Sequence, residues 1–81
     1  MRRIVQNLKK VSLIGAEDTK TAIMQQIRRL GLNPQAVSER IEMGKLPGEY
    51  RVARVWDYKI LYKVEDKTVM IIDVLQAINK R

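Results

Sequence analysis

The chain contains no cysteine, no histidine and no phenylalanine. Without cysteine there is no disulfide framework and no thiolate site, which favours a reducing compartment. Without histidine, the common zinc ligand and the usual general base near neutral pH are both missing. Any catalysis would rest on Lys, Arg, Tyr, Glu or Asp, and neither a metal nor an organic cofactor is expected. Long apolar runs are missing too. The longest, "VMII" at 69–72, is far too short to span a bilayer. The first ten residues, "MRRIVQNLKK", hold no apolar stretch like that of a signal peptide. The expectation is a cytoplasmic protein with no membrane partner.

What remains is basic and compositionally ordinary. The chain has 81 residues, which suits a single domain spanning 1–81. Hydrophobic residues make up 46%, enough for one core and too many for a disordered chain. Sixteen Lys and Arg stand against nine Asp and Glu, a net charge of +7. Such a surface favours a polyanionic partner, because each phosphate it neutralises releases counterions. Nucleic acid is preferred over an acidic protein on this count.

The first half reads as helical. Ile4, Leu8 and Val11 share a face of a short helix over 3–13. Gly15 breaks it, and Glu17 and Asp18 suit the positive end of a new helix. Ile23, Ile27 and Leu30 then mark an amphipathic helix over 17–30, with Gly31 as its stop. In "NPQAVSERIEMG", Asn33 can cap and Pro34 can open a third helix, Val37 and Ile41 supply its buried face, and Gly44 ends it.

The second half changes period. Pro47 and Gly48 mark a turn. Residues 50–55 read as a strand, and 58–64 as a cleaner one, with Tyr58, Ile60, Tyr62 and Val64 on one face and Lys59, Leu61 and Lys63 on the other. "EDK" at 65–67 turns the chain, and 69–75 is apolar on both faces except at Asp73, so it should lie inside the sheet. The layout is α+β: two or three N-terminal helices packed on a three- to four-stranded antiparallel sheet. The stretch "GEYRVARVWDYKILYKV" at 48–64 holds all four aromatics of the chain and four of its cations. Alternating cations on a strand commonly form only a solvated face. Trp56 is expected to pack over the sheet edge, with base stacking as the functional alternative. Tyr58 and Tyr62 belong to the core beside Ile60.

The segment "KLPGEYRVARVWDYKILYKVEDKTVMIIDVL" resembles the RelE/ParE superfamily of toxins from bacterial and archaeal toxin–antitoxin systems. Leu46 and Gly48 match the family's turn, Tyr50 and Arg51 its strand opening, and Arg54 its second cation. Asp57, Tyr58 and Lys59 match its "GDYR"-like turn, Tyr62 its strand end, and Glu65 and Asp66 its next hairpin. "NLKK" and "AIMQQIRRLGLNP" fit its helices. Three departures stand out. "MRRI" leaves little room for the family's first edge strand. One extra residue separates Arg51 from Arg54, which makes Ala53 a candidate bulge. The late tyrosine of ribosome-dependent members is missing, leaving Lys80 and Arg81 as late cations.

The resemblance implies a toxin, bound by a cognate antitoxin in a heteromeric complex, that cleaves messenger RNA on the ribosome. It also implies two alternatives: a ParE-like toxin that inhibits DNA gyrase, and a relative that only binds nucleic acid or a partner. Cleavage through the 2′-hydroxyl needs a base, cations on the charged phosphorane and a group at the leaving oxygen. The basic cluster implied for this work is Lys45, Arg51, Arg54, Lys59, Lys80 and Arg81. Arg51 and Arg54 would clamp phosphate, Lys59 would be a second clamp, and Lys45 or Lys80 would transfer the proton. Arg51, Arg54, Trp56 and Lys59 would bind the RNA.

Overall fold

The computed structural model describes residues 2–5, 9–35, 38–42, 44–45 and 48–76. Ile23, Ile27 and Leu30 repeat with helical spacing, and all three are buried on α2, Glu17–Leu32. Glu17 and Asp18 occupy its first turn, where they complement the helix dipole. The helix runs through Gly31 rather than stopping there. Gly31 serves close approach instead: a Cβ at this position would sit 3.0 Å from Ile4 Cδ1 and 3.2 Å from the Arg2 carbonyl. The Arg2 amide donates to the Gly31 carbonyl at 2.8 Å, tying the first strand to the helix end.

Among the described residues, α2 is the one long helix, where two or three were expected. The expected helix over 3–13 divides into β1, Arg3–Val5, and a single turn, α1, Lys9–Ser12. Leu8 lies outside the described residues. β1 pairs in parallel with β5, Thr68–Gln76, in the register Arg3 to Thr68, Ile4 to Val69 and Val5 to Met70. An edge with unpaired amides captures the extended segment, and this outweighs the weak local helix signal.

The third expected helix, over 33–44, is also replaced. Asn33 closes α2, its amide donating to the Arg29 carbonyl at 2.9 Å. Ser38–Ile41 then forms β2, antiparallel to β3, Glu49–Val55. Val37 lies outside the described residues, and Ile41 is half-buried on the strand. The result is a five-stranded mixed sheet in the order β1-β5-β4-β3-β2, with β4 being Tyr58–Val64. It is not a three- to four-stranded antiparallel sheet. The last strand does lie inside it, between β1 and β4.

The helices cover one face of this sheet. Ala53, Val55, Ile60, Tyr62, Val64, Val69, Ile71 and Val74 point toward Ile23, Ile27 and Leu30 and form the core. The pairing of β3 with β4 is regular from Glu49–Val64 to Val55–Tyr58, so Ala53 is not a bulge. The irregularity lies in β5. Leu61 pairs with Asp73 but Tyr62 pairs with Ile71, which leaves Ile72 as the extra residue. That extra residue shifts the alternation by one, so Ile71 and Val74 can both face the core. The missing bulge at Ala53 has a further consequence. Residues three apart on a regular strand point to opposite faces, so Arg51 and Arg54 do too.

Ile27 is 1% exposed at the centre of this core. Ile27→Ala is expected to lower unfolding free energy by about 2–5 kcal/mol, read as a lower urea midpoint with an unchanged slope.

Candidate functional site

The parity of β3 and β4 sorts the candidate side chains. Arg51 shares the helix-covered face with Ala53 and Val55, and its cross-strand neighbour is Tyr62. Arg54 lies on the uncovered face, directly opposite Lys59. Lys45 is exposed in the connection between β2 and β3, beyond the Ile41–Tyr50 end of that pair. The β3–β4 turn at Trp56 and Asp57 is at the other end of β3, roughly 15–20 Å away at strand spacing. The structure therefore brings together Arg54, Lys59 and the hairpin that carries Trp56. It separates Arg51 and Lys45 from them. Lys80 and Arg81 lie outside the described residues.

Arg51 is held by internal partners. Its Nε donates to Ser38 Oγ at 2.8 Å, Nη2 to the Ser38 carbonyl at 3.0 Å, and Nη1 to Glu49 Oε2 at 2.5 Å. Glu49 also accepts from Gln35 Nε2 at 3.0 Å. The Arg51 guanidinium holds the Glu49 carboxyl below its ordinary value of 4.5, by hydrogen bonding first and by charge as well. Tyr62, fully buried, donates its hydroxyl to the Pro34 carbonyl and lies 2.5 Å from Ser38 Oγ. Burial pushes the Tyr62 phenol above its ordinary 10.0, against the lowering effect of the Ser38 and Arg51 contacts. The set Pro34, Gln35, Ser38, Glu49, Arg51 and Tyr62 thus fastens β2 and the chain before it to the sheet.

Sequence reasoning missed Glu49 and Ser38. Glu49 was readable: two residues before Arg51 on a strand, it shares that residue's face. Ser38 was not, because "NPQAVSER" carries helix-start signals that place it elsewhere.

The uncovered face is mixed. Val5, Met70 and Leu75 are between 38% and 42% exposed there, and Leu75 stands opposite Lys59. Lys63 lies over the Tyr50 ring at 5.7 Å and pairs with Glu65 at 3.2 Å. Asp73, half-buried opposite Leu61, accepts from the Val74 amide at 2.8 Å. A shallow concavity at the β2–β3 edge is lined by Ser38, Glu39, Val52 and Arg54. Trp56 is 66% exposed, so it does not pack over the sheet edge. Among the described residues, no group of acidic, His or Cys side chains is placed to hold a metal ion. No described helix is long and apolar enough to cross a membrane.

Two outcomes test the network. Tyr62→Phe removes the hydroxyl's bond to the Pro34 carbonyl, which still accepts from Ser38 Oγ at 3.2 Å, and is expected to cost about 0.5–1.5 kcal/mol in urea unfolding. Glu49 has a lowered folded-state pKa, so its contribution is present above pH 4.5 and fades as pH falls below it. The stability gap between wild type and Glu49→Gln is therefore expected to be under about 1 kcal/mol at neutral pH, given its partial exposure, and to narrow progressively as pH falls below 4.5.

No curated protein matches the sequence. A family profile described as the ParE toxin of type II toxin-antitoxin system, parDE, matches residues 1–77. That match covers nearly the whole sequence, from β1 through the last strand. Membership of such a family brings a cognate antitoxin as partner. The chain belongs to the ParE toxin family of type II toxin–antitoxin systems.

Proposed function

We propose that this toxin acts by binding a protein target, DNA gyrase, and not by cutting RNA. The observation that carries this reading is the division of the described cations. General acid–base cleavage needs its groups within hydrogen-bond reach of one phosphate. Arg51 is instead engaged by Glu49 and Ser38 on the covered face. Arg54 and Lys59 stand on the other face, and Lys45 stands at the far end of β3. The uncovered face combines cations with part-exposed apolar residues such as Leu75, a mixture suited to a protein surface.

One observation favours the second reading, a ribosome-dependent endoribonuclease. Arg54 and Lys59 lie side by side and exposed to half-exposed, where they could grip a sugar–phosphate link while the ribosome supplies the positioning. The two readings predict opposite results. Purified toxin is expected to inhibit gyrase supercoiling of relaxed plasmid, with relief by the cognate antitoxin, while primer extension on a translated message shows no new ends. Cut transcripts with normal supercoiling, abolished by Arg54→Ala, would replace this proposal with the nuclease.

A further inference from the structure

The β3–β4 hairpin contains two choices that the fold does not need. The first is Trp56. Its φ of +53° places a bulky aromatic in the left-handed region, which glycine, asparagine and aspartate tolerate far better. The residue recovers little from burial, because it is 66% exposed. The second is the pair Arg54 and Lys59. They are direct cross-strand partners, and like charges in that position repel. Among the described residues, no ion pair neutralises either of them. Glycine at 56 and a β-branched residue at 54 or 59 would each suit the hairpin better. Local rules broken twice at one exposed corner, without a gain in packing, point to a contact outside the chain.

We propose that the hairpin tip, residues 54–59, is the element that engages the toxin's target. Trp56 enters an apolar pocket, and Arg54 and Lys59 meet carboxylates on its rim. An anionic partner relieves the repulsion that the free protein carries. An exposed tryptophan beside an arginine is the composition of a binding anchor. A protein surface fits better than a nucleic acid strand, because stacking along a strand takes a series of exposed aromatics. Here Tyr50 and Tyr62 are buried and Tyr58 is half-buried, which leaves Trp56 by itself. This assignment rests on the reading of the chain as a toxin with a protein target.

The test uses Trp56→Gly, Lys59→Thr and a matched control. Leu32 is 68% exposed at the opposite end of the molecule, so Leu32→Gln removes a similar exposed apolar group. Trp56→Gly and Lys59→Thr are expected to unfold at or above the wild-type urea midpoint. Each is expected to need at least about tenfold more protein for the same inhibition of supercoiling, while Leu32→Gln keeps wild-type potency. Wild-type potency in both hairpin variants would overturn the proposal. Wild type that arrests growth on induction without affecting supercoiling would remove gyrase as target. The hairpin is then judged by whether the two variants, at equal protein level, lose growth arrest. Trp56 is the only tryptophan, so its fluorescence reports the tip directly. Quenching by an oligothymidine strand at physiological salt would overturn the protein partner in favour of nucleic acid.

Discussion

The bonds around Arg51 set most of what this sheet can be. A guanidinium largely removed from water needs its donors satisfied, and Glu49 and Ser38 together take bonds from three of its nitrogens. In doing so Arg51 fixes Ser38 against β3, which sets the register of β2 on the outer edge. Tyr62 reaches the same serine from β4 and the Pro34 carbonyl from below. Ser38–Ile41 is therefore extended, with Ser38 bonded to Arg51 and Tyr62 of the sheet. A cation used in this way has three of its five N–H donors committed inside the chain.

This constraint divides the protein into a covered face devoted to folding and an uncovered face left for contacts. The division follows from strand alternation alone once β3 is regular. With Ala53 as a bulge, Arg51 and Arg54 would have shared a face, and a converging cluster would have been plausible. The extra residue falls in β5 at Ile72 instead, where it serves the core by turning both Ile71 and Val74 inward. One residue's displacement of a bulge thus separates a catalytic reading from a binding one.

The sequence made some of this legible. The helix carrying Ile23, Ile27 and Leu30 was readable because its apolar spacing and acidic first turn agree. The β3–β4 and β4–β5 hairpins were readable because the alternation of 58–64 and the apolar run of 69–75 are separated by the polar turn at 65–67, with a second break at Asp57. Of the flanking strands, β2 was not readable, and β1 was expected only as an optional short fourth strand. β1 is three residues long and has no local pattern; its partner, β5, begins at Thr68. β2 was hidden behind Asn33 and Pro34, which resemble a helix start. Asn33 instead closes the preceding helix, and Pro34 is buried with its carbonyl accepting from Tyr62. At the site, the sequence located the cations but not their directions, which depend on where the bulge lies. Trp56 was expected against the sheet, and its left-handed backbone has no signature in residue type.

The central claim is that Arg51 belongs to the scaffold while Arg54 faces the surroundings. Hydrogen exchange at the arginine Nε–H groups, followed by nitrogen-15 NMR, tests it directly. The account predicts a slowly exchanging Arg51 Nε–H whose resonance does not move when an RNA oligonucleotide is added, beside a rapidly exchanging Arg54. An Arg51 signal that exchanges as fast as Arg54 and shifts with it on adding RNA would contradict the account.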